Sequence, residues 1–410
     1  MKKHLTIILI IGCIILLAII GWFWLLPGSS APVADKVKDL LPFGTGDGIN
    51  IPVGNEPDTI NNGQEGGQGQ EVPKLFQISK DPVAGFVAFN PSTGSGRTLS
   101  VGSTTIRYTD RATGHIYDVD PNTLLKTKVT NKTLPKIYRA YFSPDGDTVI
   151  YQSLSGGGDV VDTLSISLVA PKSTSTSAVY SISATAIPGN ISDIVVASNN
   201  VLYSVDKSRF AIISSNLEGG NLREIYSSRF TDWRLEPYGQ NLLIYTKAAS
   251  NVPGFAYRLT PSGQLTKILG PLNGLVVRPN SDGGYAYSHN TSNSLSLTAK
   301  ESATTQEVSL TPTIAEKCVW SREKSWIIFC AVPESKFSTD EPDNWYQGVT
   351  HFSDKVWRFD IRVSISEALV DPKKTFNADI DVYKPTLSPK EDYLIFMNKT
   401  DLSLWALKLD

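Results

Sequence analysis

The chain has 410 residues, of which 41% are hydrophobic and 10% aromatic, so most of it can form a folded core and general disorder is excluded. Its formal net charge is -2, and no run of Lys and Arg is longer than a pair, which argues against nucleic acid as the main partner because phosphate binding needs a concentrated basic surface. Three cysteines are too few for a disulfide scaffold.

The first predicted element is an apolar run over residues 5–26, in which Thr6 is the only strongly polar side chain. As a helix it is about 33 Å long, which is enough to cross the hydrocarbon core of a bilayer. Lysines precede it, and Trp22 and Trp24 lie near its far end, where indole rings favour the membrane interface. Residues 1–26 therefore predict a cytoplasmic stub and a single transmembrane helix, with the rest of the chain outside the cytoplasm.

Other interpretations of this run explain it less well. A cleaved signal peptide has an apolar core of about 7 to 15 residues, which is shorter than this run. Residues 10–13 resemble a lipobox, but a lipobox Cys begins the mature protein, whereas the apolar run continues well beyond Cys13. Lys36 and Lys38 reduce the charge asymmetry across the helix, so the opposite orientation, with the folded part in the cytoplasm, is a further alternative.

Residues 27–73 contain nine glycines, six prolines and one aromatic residue, Phe43. Such a composition cannot bury enough apolar surface to offset the entropy lost on ordering. The segment is therefore predicted to be a flexible Gly/Pro-rich linker between the membrane and the folded part.

After residue 74 one pattern recurs: a strand, a polar turn, a second strand with an aromatic residue, and then two more strands. The turns carry Pro, Asp or Gly, whose backbone dihedrals suit tight turns. Two weaker copies have their second strands near 105–108 and 201–203. Seven copies of about 48 residues predict that 74–410 is an all-β, seven-bladed β-propeller of four-stranded antiparallel blades. The five clearest second strands are Val149-Ile150-Tyr151, Leu243-Ile244-Tyr245, Tyr285-Ala286-Tyr287, Ile327-Ile328-Phe329 and Leu394-Ile395-Phe396.

The two ends of the propeller region are predicted to complete each other. The last repeat stops at residues 404–409, its third strand, while residues 74–79 precede the first repeat and have the character of a fourth strand. We expect these segments to pair and to close the ring, because closure satisfies a ladder edge that would otherwise be exposed.

The turn Ser143-Pro144-Asp145-Gly146, followed by an apolar strand, resembles the WD40-like (PD40) repeats of TolB-type propellers. This resemblance covers 74–410 and implies the architecture rather than an activity, because such propellers serve as scaffolds, ligand binders and parts of enzymes. The segments 77–79 with 82–85, 107–108 with 113–117, and 345–348 are also similar to uncharacterised single-span propeller proteins of small-genome bacteria, a group that implies no known activity.

Candidate catalytic residues are scarce. The histidines are His4, His115, His289 and His351, and no Gly-x-Ser-x-Gly, HExxH or Walker A motif occurs. His115 is expected within a third strand, where a histidine bonded to the backbone is the usual finding. The acidic residues around 340–344 lack the alternating ligands and the glycine of a calcium loop. The sequence therefore predicts no catalytic residue, no cofactor and no metal site.

An insertion over Val332–Lys355 lengthens the connection between the second and third strands of the sixth blade. Its aromatic residues allow two interpretations. Long loops on rigid scaffolds often carry binding surfaces, and aromatic side chains supply contact area. Alternatively, the rings fold back over the propeller face as a local plug. The candidate binding residues are Trp345, Tyr346, His351 and Phe352.

Cys318 and Cys330 flank a predicted hairpin of the sixth blade, and their even spacing places both on one face of paired strands. A cross-strand disulfide and two buried free thiols are both compatible with this position.

Together these features predict a single-pass membrane protein that displays a non-catalytic binding or scaffold module outside the cytoplasm. Its partner would be a protein or a component of the cell envelope. The alternative is an envelope enzyme or ligand sensor with a site at the mouth of the central channel, where propellers place concave pockets.

Overall fold

The computed structural model of the chain describes residues 72–91, 103–154, 160–170, 179–197, 199–291, 294–302, 304 and 306–409. The transmembrane helix predicted over residues 5–26 and nearly all of the linker predicted over 27–73 lie outside these residues. Within the described part of the chain, no helix has the length and apolar character needed to cross a membrane.

The described residues form seven four-stranded antiparallel sheets, as the repeats predicted. We number them as blades in chain order. Blade 1 contains β2 (Val83–Phe89), β3 (Thr105–Asp110), β4 (Ile116–Val119) and β5 (Lys126–Lys128); blade 2, β6 (Ile137–Phe142), β7 (Thr148–Leu154), β8 (Val161–Val169) and β9 (Ser181–Ile187); blade 3, β10 (Ile191–Val196), β11 (Leu202–Asp206), β12 (Ala211–Ser215) and β13 (Arg223–Ser227); blade 4, β14 (Trp233–Tyr238), β15 (Asn241–Thr246), β16 (Pro253–Leu259) and β17 (Leu265–Asn273); blade 5, β18 (Val276–Pro279), β19 (Tyr285–Asn290), β20 (Leu295–Lys300) and β21 (Glu307–Leu310); blade 6, β22 (Cys318–Trp320), β23 (Ile327–Pro333), β24 (Asp354–Asp360) and β25 (Ile365–Val370); blade 7, β26 (Val382–Leu387), β27 (Tyr393–Asn398), β28 (Leu404–Lys408) and β1 (Leu75–Ser79).

The Ser-Pro turns fix where the second strand of a blade begins. The Ser143 hydroxyl accepts a hydrogen bond from the Thr148 amide at 3.0 Å, and the Ser388 hydroxyl accepts one from the Tyr393 amide at 2.9 Å. Gly146 has a φ of 73°, a conformation that favours glycine. The serine and the proline therefore specify the same turn in blades 2 and 7, and in blade 7 Glu391, with a φ of 57°, replaces the glycine.

The N-terminal strand closes the ring. Leu75 of β1 pairs with Leu407 of β28, and Phe76 pairs with Ala406. Leu75, Phe76 and Ile78 are buried, and Phe76 and Ile78 pack in a core cluster that joins blade 7 to blade 1. The predicted pairing of the two chain ends is therefore confirmed.

The first strand of each blade is the innermost. β2 contacts β6, β6 contacts β10, and the contacts continue through β14, β18 and β22 to β26. These strands therefore line the central channel. The approach of blades 1 and 2 is especially close, because a Cβ atom at Gly85 would lie only 2.0 Å from the carbonyl oxygen of Ala140. Only glycine allows this distance at that position.

Helical structure is limited, within the described residues, to a 3₁₀ turn and two single-turn helices. The 3₁₀ turn, Ala315–Lys317, leads into β22. Helix α1, Asp343–Gln347, lies in the insertion of blade 6, and helix α2, Pro372–Phe376, lies between blades 6 and 7. The insertion itself spans residues 334–353, between β23 and β24.

The two cysteines of blade 6 face each other across β22 and β23. Cys318 pairs with Cys330, their Cα atoms are 4.1 Å apart, and the side chains form a disulfide. Both residues are buried.

Candidate functional site

Trp345 and Phe352 of the insertion are buried instead of forming a surface for a partner. Trp345 has 0% of its surface exposed, and its indole Nε1 donates to both carboxylate oxygens of Asp381 at 3.0 Å. The Phe352 amide donates to Asp381 Oδ2 at 3.2 Å. These two rings thus hold the loop against blade 7, as in the interpretation of the insertion as a plug. Binding through them would require the loop to leave its position.

The insertion is anchored on a buried group of charges. Lys317 Nζ lies 2.6 Å from Asp354 Oδ2 and 2.5 Å from Asp381 Oδ1, and all three side chains are fully buried. Its ammonium also lies 5.2 Å from the Trp345 ring centroid and 5.0 Å from that of Phe352. Burial raises the pKa of Asp354 to about 6 although Lys317 opposes the shift. This cluster joins blades 6 and 7 and positions the loop.

Tyr346 and His351 have different environments. Tyr346 is half-buried, and its hydroxyl donates to Glu316 Oε2 at 2.9 Å. Burial raises the pKa of Tyr346 well above its ordinary value, so this phenol stays protonated. His351 is exposed. Of the four residues predicted from the insertion, Tyr346 thus contacts a charged residue in the 3₁₀ turn that leads into the inner strand β22.

Helix α1 and the first residues of the inner strands lie at the same end of the propeller. In an antiparallel blade the strand direction alternates from one strand to the next. The connection between the second and third strands therefore lies at the end of the blade where the first strand begins. The Tyr346–Glu316 hydrogen bond agrees with this placement.

Charged side chains from several blades converge on the channel. Tyr383 of blade 7 is acted on by the charges of Glu316, Arg139, Arg278 and Arg234, which belong to blades 6, 2, 5 and 4. Residues of such widely separated blades can influence one tyrosine only near the axis of the ring. We call the following residues the channel cluster: Arg139, Tyr141, Asp193, Arg234, Glu236, Tyr245, Arg278, Glu316, Tyr346, Tyr383 and Lys384.

Irregular inner strands present several of these charges. The register shifts between Ile137 and Arg139 in β6 and between Ile191 and Asp193 in β10. In β26 the shift begins after Tyr383, and Lys384 adopts a φ of 52°. Bulges re-aim side chains at such positions. A left-handed conformation at a lysine costs about 1 kcal/mol, so the surrounding structure must impose it.

One side of the cluster pairs acids with arginine. The Arg278 guanidinium forms an ion pair with Glu236 and donates to the Glu316 carbonyl oxygen at 3.4 Å. Burial raises the pKa of Glu236 to about 7, against the lowering effect of Arg278. Asp193 Oδ2 accepts a hydrogen bond from the Leu235 amide at 2.8 Å, and burial also raises its pKa.

The other side is basic. The Lys384 ammonium lies 5.4 Å from the ring centroid of Tyr141 and 5.4 Å from that of Tyr383. Desolvation and, to a smaller extent, the nearby charge of Arg139 lower the pKa of Lys384 to about 8. Among the described residues, no carboxylate lies within ion-pair distance of Lys384 or Arg139.

Tyr346 is the only residue of this cluster that the sequence predicted as a site residue. A signal was available, because most repeats carry a charged residue in the first strand, a position that faces the channel. Arg139, Asp193, Arg278 and Lys384 are each the third residue of their strand.

His115, His289 and His351, the histidines that the structure describes, do not belong to the channel cluster. His115 directly precedes β4 rather than lying within it as expected, and its Nε2 is 3.1 Å from Thr133 Oγ1. Burial lowers the pKa of His115. His289 stacks on Tyr287 with ring centroids 5.6 Å apart. Across the described part of the chain, no group of three or more His, Cys, Asp or Glu side chains is placed to hold a metal ion.

Comparison of the sequence with known families and with characterised proteins finds no match. Solved structures with a similar fold include a streptogramin B lyase, which is 12% identical with a TM-score of 0.49 over 82% of this chain and 97% of the other. They also include an oligogalacturonate lyase in complex with manganese, which is 12% identical with a TM-score of 0.45 over 80% of this chain and 97% of the other. The β-propeller domain of the Trilobed protease from Pyrococcus furiosus is 11% identical with a TM-score of 0.46 over 79% of this chain and 96% of the other. Likenesses of this degree carry no conclusion about the activity of this chain. The resemblance to TolB-type repeats and the absence of catalysis both stay predictions.

Proposed function

We propose that this protein is a non-catalytic binding module that takes a polar ligand at the end of the propeller channel where the insertion lies. The observation that carries the proposal is the convergence of charged side chains from six blades on one half-buried site. Concave sites at the centre of a ring, with a few converging polar groups, are typical of ligand binding. The TolB-type resemblance agrees with this role, since binders occur among such propellers.

The site is suited to binding because its side chains are already held in place. Glu316 accepts the hydrogen bond of Tyr346, and Arg278 is fixed by Glu236 and by the Glu316 backbone. A preorganised site loses less conformational entropy when a ligand binds. The burial of Trp345 fixes the helix that carries Tyr346.

We further propose that residues 5–26 anchor the propeller to the cytoplasmic membrane and that the propeller lies outside the cytoplasm. The disulfide between Cys318 and Cys330 supports this, because disulfides persist in oxidising compartments and are rare in the cytosol. A Val363→Cys variant tests the orientation, since Val363 is 60% exposed. Labelling by a membrane-impermeant maleimide in intact cells is expected, and labelling only after lysis would contradict the proposal.

Ligand binding can be tested with the full-length chain in detergent and a defined panel of solutes. Saturation-transfer NMR would report binding of N-acetylglucosamine, D-glucuronate, L-glutamate and adenosine monophosphate. At least one of these is expected to bind to the wild type. The Arg278→Gln and Tyr346→Phe variants should each weaken that binding, because each removes a polar contact within the channel cluster.

The control is Arg258→Gln, which removes an exposed arginine from β16, a third strand away from the channel. This variant should bind as the wild type does. Binding that survives both channel substitutions, or a wild type that binds none of the solutes, would overturn the proposed site.

A second function, an envelope enzyme, is favoured by one observation. Glu236 and Lys384 have pKa values of about 7 and about 8, close to neutrality, as acid–base catalysts require. The same NMR experiment distinguishes the two, because an enzyme would consume the bound solute with time.

A further inference from the structure

Two cations of the channel cluster are held close to aromatic rings instead of acids. Arg139 and Lys384 come from β6 and β26, in blades that are separated by blade 1. Lys384 nevertheless lies against Tyr141 of β6 as well as Tyr383 of its own strand. Between these two blades, Gly85 of blade 1 lets β2 and β6 approach closely.

The pairing of two like charges is electrostatically unfavourable. The charge of Arg139 opposes the positive charge of Lys384, and desolvation of Lys384 adds to the cost. Elsewhere in the same cluster the protein compensates for burial with an ion pair, as between Arg278 and Glu236. At Arg139 and Lys384 the described chain supplies no carboxylate within ion-pair distance, so the positive charge here is uncompensated at close range.

The neighbouring tyrosines add neutral donors. Burial raises the pKa of Tyr141, and it raises that of Tyr383 to about 12, so both phenols keep their protons at neutral pH. A protonated phenol can donate a hydrogen bond to an anion, and guanidinium and ammonium groups are the usual partners of carboxylate and phosphate oxygens.

We propose that Arg139 and Lys384, with the phenols of Tyr141 and Tyr383, form an oxyanion subsite that receives a carboxylate or phosphate group of the channel ligand. This inference rests on the proposed ligand site and adds the chemical class of the ligand. The acidic side of the cluster, around Glu236, would then face the uncharged or cationic part of the same molecule.

Competitive labelling of amines tests the subsite directly. The full-length chain in detergent is treated with trace acetic anhydride, and mass spectrometry measures the acetylation rate of each lysine. Inorganic phosphate and succinate are the probes, with sodium chloride at equal ionic strength and glucose as comparisons. Phosphate or succinate at about ten times its dissociation constant should slow acetylation of Lys384 by about tenfold, because only the small unoccupied fraction of the protein can react. Which of the two protects better identifies the preferred anion.

The matched control lies in the same molecule. The Lys126 ammonium also contacts two tyrosines, at 5.7 Å from the Tyr108 ring and 4.3 Å from the Tyr117 ring, but β5 is the outermost strand of blade 1. Its acetylation should be unaffected by either anion. In an Arg139→Gln variant the protection of Lys384 should fall, whereas Arg258→Gln should leave it unchanged.

Protection should also depend on pH. Lys384 is charged below its pKa of about 8, so protection is expected at pH 7 and should decline above pH 8 as the ammonium deprotonates. Four other charged groups act on it: Arg139, Glu316, Asp193 and Arg278. The arginines keep their charge throughout this range, and Glu236, with a pKa of about 7, is already mostly ionised at pH 8, so the decline above pH 8 reports Lys384.

Equal acetylation rates of Lys384 in phosphate, succinate and chloride would overturn the subsite, as would equal protection of Lys126. If glucose protects Lys384 and the anions do not, the channel binds ligands but this inference is wrong. If the anions protect Lys384 and the solute panel is insensitive to Arg278→Gln, the oxyanion subsite stands and the wider site is wrong.

Discussion

The two carboxylates that contact the buried Lys317 differ in how much the stability of the fold depends on each. Lys317 is bonded to Asp354 and Asp381, which leaves one negative charge in excess within a fully buried group. Asp354 Oδ2 accepts from Lys317 and, at 2.7 Å, from the Val382 amide, but its Oδ1 has no hydrogen-bond partner. Asp381 instead accepts hydrogen bonds with both oxygens.

We therefore expect opposite results from two isosteric substitutions. Asp354→Asn removes the excess charge and retains an oxygen for Lys317, so the free energy of unfolding should change by less than about 1 kcal/mol. Asp381→Asn places an amide NH₂ against donors and should cost about 2–3 kcal/mol. Urea denaturation of the full-length chain in detergent at pH 7.5 measures both. Equal losses would contradict this account of the cluster.

The same aspartate predicts a pH dependence. The pKa of Asp354 is raised to about 6 in the folded protein, whereas an unfolded Asp has a pKa near 3.9. Between roughly pH 4 and pH 6 the folded state binds more protons than the unfolded state does. The contribution of Asp354 to the free energy of unfolding therefore falls as the pH rises through this window and is constant above it. Urea midpoints measured at pH 4.5 and pH 6.5 report this fall in stability. In the Asp354→Asn variant, the part of the difference between the two midpoints that is due to Asp354 should disappear.

The positions of the strands could be predicted from the sequence more easily than the side chains that each strand directs towards the channel. Each repeat contains its own apolar strand and its own Pro or Gly turn, so seven blades could be counted from local sequence. Channel positions depend on bulges such as that between Ile137 and Arg139, which interrupt the alternation of faces. The burial of Trp345 depends on Asp381, an acceptor contributed by a distant segment. Neither the bulges nor the burial of Trp345 has a local signal, although the charged residue in most first strands does mark the channel positions.

The insertion of blade 6 is expected to behave as a packed element rather than as a loose loop. Trp345 is fully buried, donates to Asp381 and lies 5.0 Å from the Lys399 ammonium. Trp345→Ala should therefore destabilise the protein by about 3–5 kcal/mol in urea denaturation. Val349, two residues beyond α1, is 68% exposed, and Val349→Ala should change stability by less than about 0.5 kcal/mol. A tolerated Trp345→Ala would indicate a loop that moves freely.

At the scale of the whole molecule, the ring and the ligand site depend on each other. Lys384 of blade 7 meets Tyr141 of blade 2 across blade 1, so their 5.4 Å contact exists only while blades 7 and 1 stay joined. β1 makes that joint, because it pairs with β28 of blade 7 and buries Phe76 and Ile78 against blade 1, while Leu75 packs in the core between blades 6 and 7. Opening the ring should therefore alter the site as well as the stability.

Deletion of residues 74–80 tests both consequences. Three buried apolar side chains are lost, worth about 6 kcal/mol, which should lower the Tm of the full-length chain in detergent by roughly 10 °C. An equal deletion within the predicted linker, residues 60–66, should leave the Tm unchanged. Anion protection of Lys384 should disappear only in the first variant, because Tyr141 and Arg139 are no longer held opposite it. Loss of stability with full protection would mean that blades 7, 1 and 2 keep their arrangement without β1, so that closure contributes stability but does not build the site.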